Sequence, residues 1–211
     1  MKKRVDARRT QEQRSAETQG QLLDATIELL FTRGYVRLTT NEIAAAAGVS
    51  RGALTHHFAN KEDIVVQAIQ RQLRGVTADL RRFAETLDGR DDVNAIVDYL
   101  WALMSDRLFY TTLEFLPEAR HNPPFGDRLA EVTREFHNAL DEIWAHVAAH
   151  TGTDIAEARV MFNSTMCLIR GMVAQTVLRK DPEYFAGMLD FWKDNLHRLL
   201  AGRPVSKRAR A

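Results

Sequence analysis

Apolar residues recur at steps of three and four along almost the entire chain, and that rhythm leaves it little to fold into except packed helices. From about Thr18 the positions Leu22, Leu23, Thr26, Ile27, Leu29, Leu30 and Phe31 follow one helical face, and Gly34 stands where such a helix takes a left-handed cap. Thr39, followed three residues later by Glu42, is a capping box that opens a short apolar stretch over 43–47, closed by Gly48. Ser50 caps a second short helix running to about Phe58, and Asn60 with Asp63 starts a long one extending past Leu80 toward Leu87. Beyond Gly89, Asp91 or Asp92 caps a helix through Trp101 and Met104, and another covers 108–120 before Asn122, Pro123 and Pro124 stop it. Residues 125–150 carry Phe125, Leu129, Val132, Phe136, Leu140, Ile143, Trp144 and Val147 at helical spacing. After a polar break over 151–154, a strongly apolar helix spans 155–178, and Asp181 with Pro182 opens a last one to about Leu200. No alternating β-branched run bounded by hairpin signals occurs. The fold class predicted is all-α with about nine helices.

Charge divides the chain more sharply than composition does. Residues 1–61 carry ten Lys/Arg against six Asp/Glu, residues 62–202 carry fifteen against twenty-two, and residues 203–211 carry four against none. The net charge of +1 therefore hides a basic end, an acidic body and a basic tail, the pattern of a DNA-binding head on a body that does not touch DNA. The organisation expected is a flexible basic arm (1–14), a helical head (15–61) whose following helix from about 60 links the domains, a larger helical body (62–202) and a basic tail (203–211). No apolar run approaches the roughly 18 residues that span a bilayer, and the charged start is unlike a secretory leader. The single cysteine, Cys167, excludes an internal disulfide. These features predict a soluble, cytoplasmic protein.

The segment 39–61, TTNEIAAAAGVSRGALTHHFANK, carries the functional signal. Two short helices joined by a glycine turn form a helix-turn-helix. Small alanines let the second helix cross close to the first, Gly48 supplies a positive φ without steric cost, and Val49 fills the space between. Leu54 and Phe58 face inward at i and i+4, leaving Arg51, Gly52, Ala53, Thr55, His56 and His57 toward the outside. A rod of that kind enters a major groove about 12 Å wide.

Residues 22–69 strongly resemble the N-terminal DNA-binding domain of TetR-family transcriptional regulators. The resemblance is carried by Phe31, Gly34 and Tyr35 before the motif, the Thr-Thr…Ile-Ala…Gly-Val-Ser core, Leu54, His57 and Phe58 at its end, and the Asn-Lys-Glu-Asp opening of the next helix. It covers about a quarter of the chain; the rest agrees in length and helical character. The resemblance implies a three-helix head, a larger bundle that binds effector and dimerises, and a homodimer reading an inverted-repeat operator in double-stranded DNA. It places Thr39, Thr40 and Asn41 near the backbone or flanking bases, Ser50 as the cap of a helix start whose N–H groups aim toward the phosphates, Arg51, Gly52, Ala53, Thr55 and His56 at or near the bases, His57 at the edge and Lys61 on a phosphate. Arg51 is suited to fork onto guanine O6 and N7. Thr55 departs from the family, which places an aromatic there, most often tyrosine.

The resemblance also assigns the body. Trp101, Met104, Phe109, Leu113, Phe115, Phe136, Leu140, Phe162, Met166 and Ile169 come from helices that would surround an effector cavity, with His137 and Asn163 (and Glu114) as polar groups within it. Aromatic rings and methionines suit a plastic apolar site. The last helix carries the stripe Phe185, Met188, Leu189, Trp192, Leu196 and Leu199, assigned to the dimer interface, and Gly171 and Gly187 allow close helix approach.

Enzyme chemistry finds no parts. The nucleophile elbow, the P-loop, the dinucleotide fingerprint and the HExxH pair are all missing. Glu142, His146 and His150 on one face, and a single Glu118-x-x-His121, fall short of a di-iron set, so neither metal nor cofactor is expected. The function expected is a ligand-responsive transcriptional regulator, a repressor released by a small apolar or amphipathic effector. The rival is a helical module that senses a protein partner and binds DNA without sequence preference.

Overall fold

The structure, a computed structural model, describes residues 11–87 and 92–201. The expected tail, the first ten residues of the expected arm, and Asp91 as a cap lie outside these. Nine helices are present among the described residues: α1 (Gln11–Arg37), α2 (Thr40–Ala46), α3 (Arg51–His57), α4 (Lys61–Ala84), α5 (Val93–Ser105), α6 (Arg107–His121), α7 (Pro123–Thr151), α8 (Ile155–Thr176) and α9 (Pro182–Ala201). No strand occurs among them.

Three boundaries differ from the sequence reading, each for a local reason. The start of α1 is Gln11, so residues 11–14 are helix rather than arm. Periodicity missed this turn because its side chains are all exposed; Gln, Glu and Arg hold it by propensity instead of burial. The end of α4 comes at Ala84, and Leu87 closes a turn by donating its N–H to Ala84 O. Pro123 and Pro124 do not merely stop α6 but begin α7, because a proline in the first helical turn lacks only a donor that would be unpaired anyway. Asn122 is the cap there: its Oδ1 accepts from Phe125 N at 3.4 Å.

The chain forms two compact units. The first combines the described part of residues 1–72 with Glu114–Val132; the second combines Leu73–Leu113 with the described part of residues 133–211. The end of α6 and the start of α7 thus pack with the helix-turn-helix. In the first unit, Leu22 and Leu30 of α1, Ile43 of α2, Leu54 of α3 and Ile64 of α4 are fully buried. Each such side chain contributes on the order of 1.5–3 kcal/mol on leaving water. Arg71 ties α4 back to α1 by donating to Gly20 O at 2.8 Å. In the second unit α5 packs on α8 and α9. Its core runs from Leu80 and Ile96 through Trp144 and Phe162 to Leu196, and the Trp144 and Phe162 rings stack at 4.7 Å.

Candidate nucleic-acid interface

The geometry of the head follows from its caps. Thr39 Oγ1 accepts from Glu42 N at 3.3 Å while Glu42 Oε2 accepts from Thr39 N at 3.1 Å, the reciprocal pair that the sequence predicts. Hydrogen bonding from Thr39 holds the Glu42 carboxyl below the usual glutamate range, and Arg33 reaches it at 2.7 Å from α1. At the other end of α2, Gly48 takes φ 68°. Val49 N donates to Ala44 O and Gly48 N to Ala45 O, which is a Schellman closure. Ser50 Oγ then accepts from Ala53 N at 3.1 Å and starts α3.

Leu54 and Phe58 are 1% and 2% exposed, so α3 is anchored by its inner side. Arg51, Gly52, Thr55 and His56 are exposed, and Ala53 and His57 are half-buried. Arg51 makes no ion pair or hydrogen bond among the described residues, which leaves its five donors available to an incoming partner. Thr55 turns its hydroxyl back, donating to Gly52 O at 3.1 Å. Among the upstream positions Thr39 and Asn41 are exposed and Thr40 half-buried.

Lys61 is placed otherwise than expected. Its Nζ donates to Tyr35 O at 2.8 Å and sits 4.0 Å from the centre of the Tyr35 ring. Burial lowers its pKa, against the opposing charges of Glu118 and Glu62, and the same burial raises the Tyr35 phenol to about 12. The ammonium closes the end of α1, where Gly34 leaves helical geometry at φ 77° and ψ 162°. This backbone is extended with positive φ, not the left-handed cap expected, and is essentially confined to glycine. Sequence spacing showed Lys61 at a helix start but not the carbonyl 26 residues earlier.

A second set of contacts escaped the sequence reading because its partners lie more than 50 residues apart. Arg128 Nη2 reaches Asp63 Oδ1 at 2.7 Å, and Asn122 Nδ2 donates to Glu62 Oε1 at 2.9 Å. In the sequence Asn122 reads only as a helix breaker.

In the second unit, Met104, Phe109, Phe136, Leu140, Phe162, Met166 and Ile169 are buried in one core, with Trp101 and Leu113 packed on it. Phe115 is buried in the first unit instead. His137 and Asn163 are exposed, and Asn163 Oδ1 already accepts from Trp144 Nε1 at 3.2 Å. The assigned dimer stripe splits. Phe185, Leu189 and Leu196 belong to the core of their own chain, Met188 and Trp192 are half-buried, and Leu199 is exposed. Tyr184 and Phe191, passed over in the sequence, are exposed on the same helix, Phe191 by 67%. Spacing of 184, 188, 191 and 199 is itself helical, so α9 carries two stripes side by side, roughly a quarter-turn apart around its axis. Beside the outer one lies a crevice of about 410 Å³, lined by Val160, Met161, Trp192 and Leu199 among others.

The family described as bacterial regulatory proteins, tetR family, matches residues 22–68. The chain is 28% identical to the HTH-type transcriptional regulator CymR of Pseudomonas putida, over 84% of its own length and 88% of that protein's. The fold recurs in FadR of Bacillus subtilis, solved in complex with stearoyl-CoA, at TM-score 0.63 and 22% identity over 90% of this chain and 99% of that one. It recurs again in a TetR-family regulator, termed putative, from Mesorhizobium loti MAFF303099, at TM-score 0.70 and 16% identity over 90% and 97% of the two chains.

Proposed function

The chain belongs to the TetR family of transcriptional regulators, and from that premise we propose that it is a cytoplasmic repressor that binds an inverted-repeat operator as a homodimer and leaves it when a small apolar or amphipathic effector binds. It is a DNA-binding regulator and not an enzyme. The observation that carries the reading is α3 itself, pinned by Leu54 and Phe58 while Arg51, Gly52, Thr55 and His56 face outward. In this reading Arg51 specifies a base pair, Ser50, Ala53, Thr55, His56 and His57 line the groove contact, and Thr39, Thr40 and Asn41 meet the backbone. Lys61 supports the head from within. No helix among the described residues is long and apolar enough to cross a membrane.

Dimerisation is supported by the outer stripe of α9, Tyr184, Met188, Phe191 and Leu199, continued by Val160 on α8. An added Cβ at Gly171 or Gly187 meets nothing within 4 Å in the single chain, which leaves room for a second copy to approach. The core around Met104, Phe136, Phe162 and Met166 has the aromatic and methionine character that an apolar effector requires, and the Bacillus subtilis neighbour carries stearoyl-CoA on the same fold. Release then follows by population shift: the effector favours a conformation whose two α3 helices no longer match grooves about 34 Å apart.

Selection of bound sequences from random duplexes tests this directly. An inverted repeat with half-sites one helical turn apart is the expected result; a pool that enriches no sequence overturns it. Arg51→Ala then weakens binding to the enriched duplex by about tenfold or more and to a scrambled duplex far less, as loss of a bidentate base contact requires.

A further inference from the structure

The turn between α3 and α4 decides how the reading helix is held, and it is fastened from outside the helix-turn-helix. Phe58 ends α3 and Lys61 begins α4. Between them Ala59 N donates to Asp63 Oδ2 at 3.1 Å, and Asp63 N donates to Asn60 Oδ1 at 2.8 Å. The carboxylate of Asp63 thus clasps the residue that follows the last turn of α3. Its other oxygen accepts from Arg128 at 2.7 Å and from Gln67 at 3.2 Å. One residue earlier, Glu62 accepts from Asn122, which also donates to Glu118 at 3.3 Å and caps α7. The corner bearing Asn122 and Arg128 is itself tightly set: a Cβ on Gly126 would lie 2.6 Å from Ala119 O, a backbone atom that cannot swing aside. The Phe125 ring packs on Tyr35, 5.3 Å between centres, beside the Lys61 ammonium.

We propose that Asn122 and Arg128 are positioning residues for DNA reading: through Glu62 and Asp63 they fix the turn that aims α3, so the α6–α7 corner is a working part of the head. The inference rests on the proposed DNA-reading role of α3 and adds residues that touch no base. Its physical basis is a difference in sensitivity. A partly exposed ion pair adds little to global stability. Base-edge hydrogen bonds weaken with distance and angle and carry the sequence information, while contacts to phosphates carry none, so a displaced helix loses specific binding before non-specific binding.

The test uses the full-length protein, the duplex that the wild type enriches from a random pool, and a scrambled duplex of equal length. Arg128→Gln weakens binding to the enriched duplex about tenfold, the scale of one mismatched base pair, and changes binding to the scrambled duplex by less than about twofold. The slope of log affinity against log salt stays that of the wild type, since no phosphate contact is removed. Arg128→Lys recovers most of the loss, and Gly126→Ala, which displaces the corner without removing a polar group, reproduces it. Equal loss on both duplexes, a flattened salt slope or no loss at all overturns the proposal. A wild type that enriches no sequence overturns the DNA-reading assignment instead, before any variant is made.

Discussion

In α2 and α3 the residues that matter announce themselves to their immediate neighbours, and in α9 they do not. Thr39 with Glu42, Ser50 with Ala53, and Gly48 between them act over three or four residues, so a short stretch of sequence contains both partners of each contact. The apolar residues of α9 act across the bundle, and the same residue types serve two purposes. Phe185, Leu189 and Leu196 fill their own core, while Tyr184, Phe191 and Leu199 face away from it. Short-range capping carries its meaning in spacing alone; burial on one side or the other of a two-sided helix does not.

The largest effects test that split in α9. Leu196 is fully buried, so Leu196→Ala should cost about 2–5 kcal/mol in denaturant unfolding. Phe191→Asp should leave the unfolding of the single chain within about 0.5 kcal/mol, as for an ordinary surface change, while sedimentation shows monomers in place of dimers. A Phe191→Asp protein that unfolds early yet stays dimeric would reverse the two stripes.

Glycines extend the comparison at smaller scale. At Gly48 the backbone has φ 68° and an added Cβ touches nothing, so Gly48→Ala loses about 1 kcal/mol purely through the backbone. Gly171 lies inside α8 with equally open space, yet there Gly→Ala should raise helix stability by about 1 kcal/mol in the isolated chain. If a second copy packs at that point, the same substitution weakens the dimer. Thermal unfolding at two protein concentrations separates the outcomes, and a dimer strengthened by Gly171→Ala would move the interface off α8.

How far the sequence is legible depends on the range of the forces involved. Helix number and type, the capping box, the glycine turn, the inward pair Leu54 and Phe58, and the Asp181–Pro182 start of α9 all come from neighbours in the chain. The first turn of α1 was hidden because no apolar residue marks it. The placement of Lys61 on Tyr35, and of Arg128 and Asn122 on the α3–α4 turn, was hidden because each joins residues 26 to 65 positions apart. Phe191 is masked in the sequence by its neighbour Trp192, whose position continues the inner stripe.

The smallest effect reaches back to the head through acidity. Burial pushes the Asp63 carboxyl up, but hydrogen bonds from Ala59, Arg128 and Gln67, with the Arg128 charge, outweigh it and hold the group below its ordinary 3.8. A carboxyl depressed in the folded state stabilises that state fully above its unfolded value, and the contribution is lost as pH falls through the folded one. Wild-type stability should therefore show no Asp63 contribution to its pH dependence near neutrality and should begin to lose this term only in the acid range under 3.8. Arg128→Gln removes one of the lowering contacts, which brings the folded value back toward the unfolded one, so the acid loss still begins near the unfolded value but becomes smaller and is complete at a higher pH. Because the pair is partly exposed, the difference at neutral pH stays under about 1 kcal/mol. Melting curves of wild type and Arg128→Gln across the acid range measure it, with Arg74→Gln, which removes a surface pair with Glu135, as the comparison. If the acid limbs of Arg128→Gln and Arg74→Gln shift alike, the carboxylate at the end of the reading helix has no more hold on the head than an ordinary surface charge has on the body.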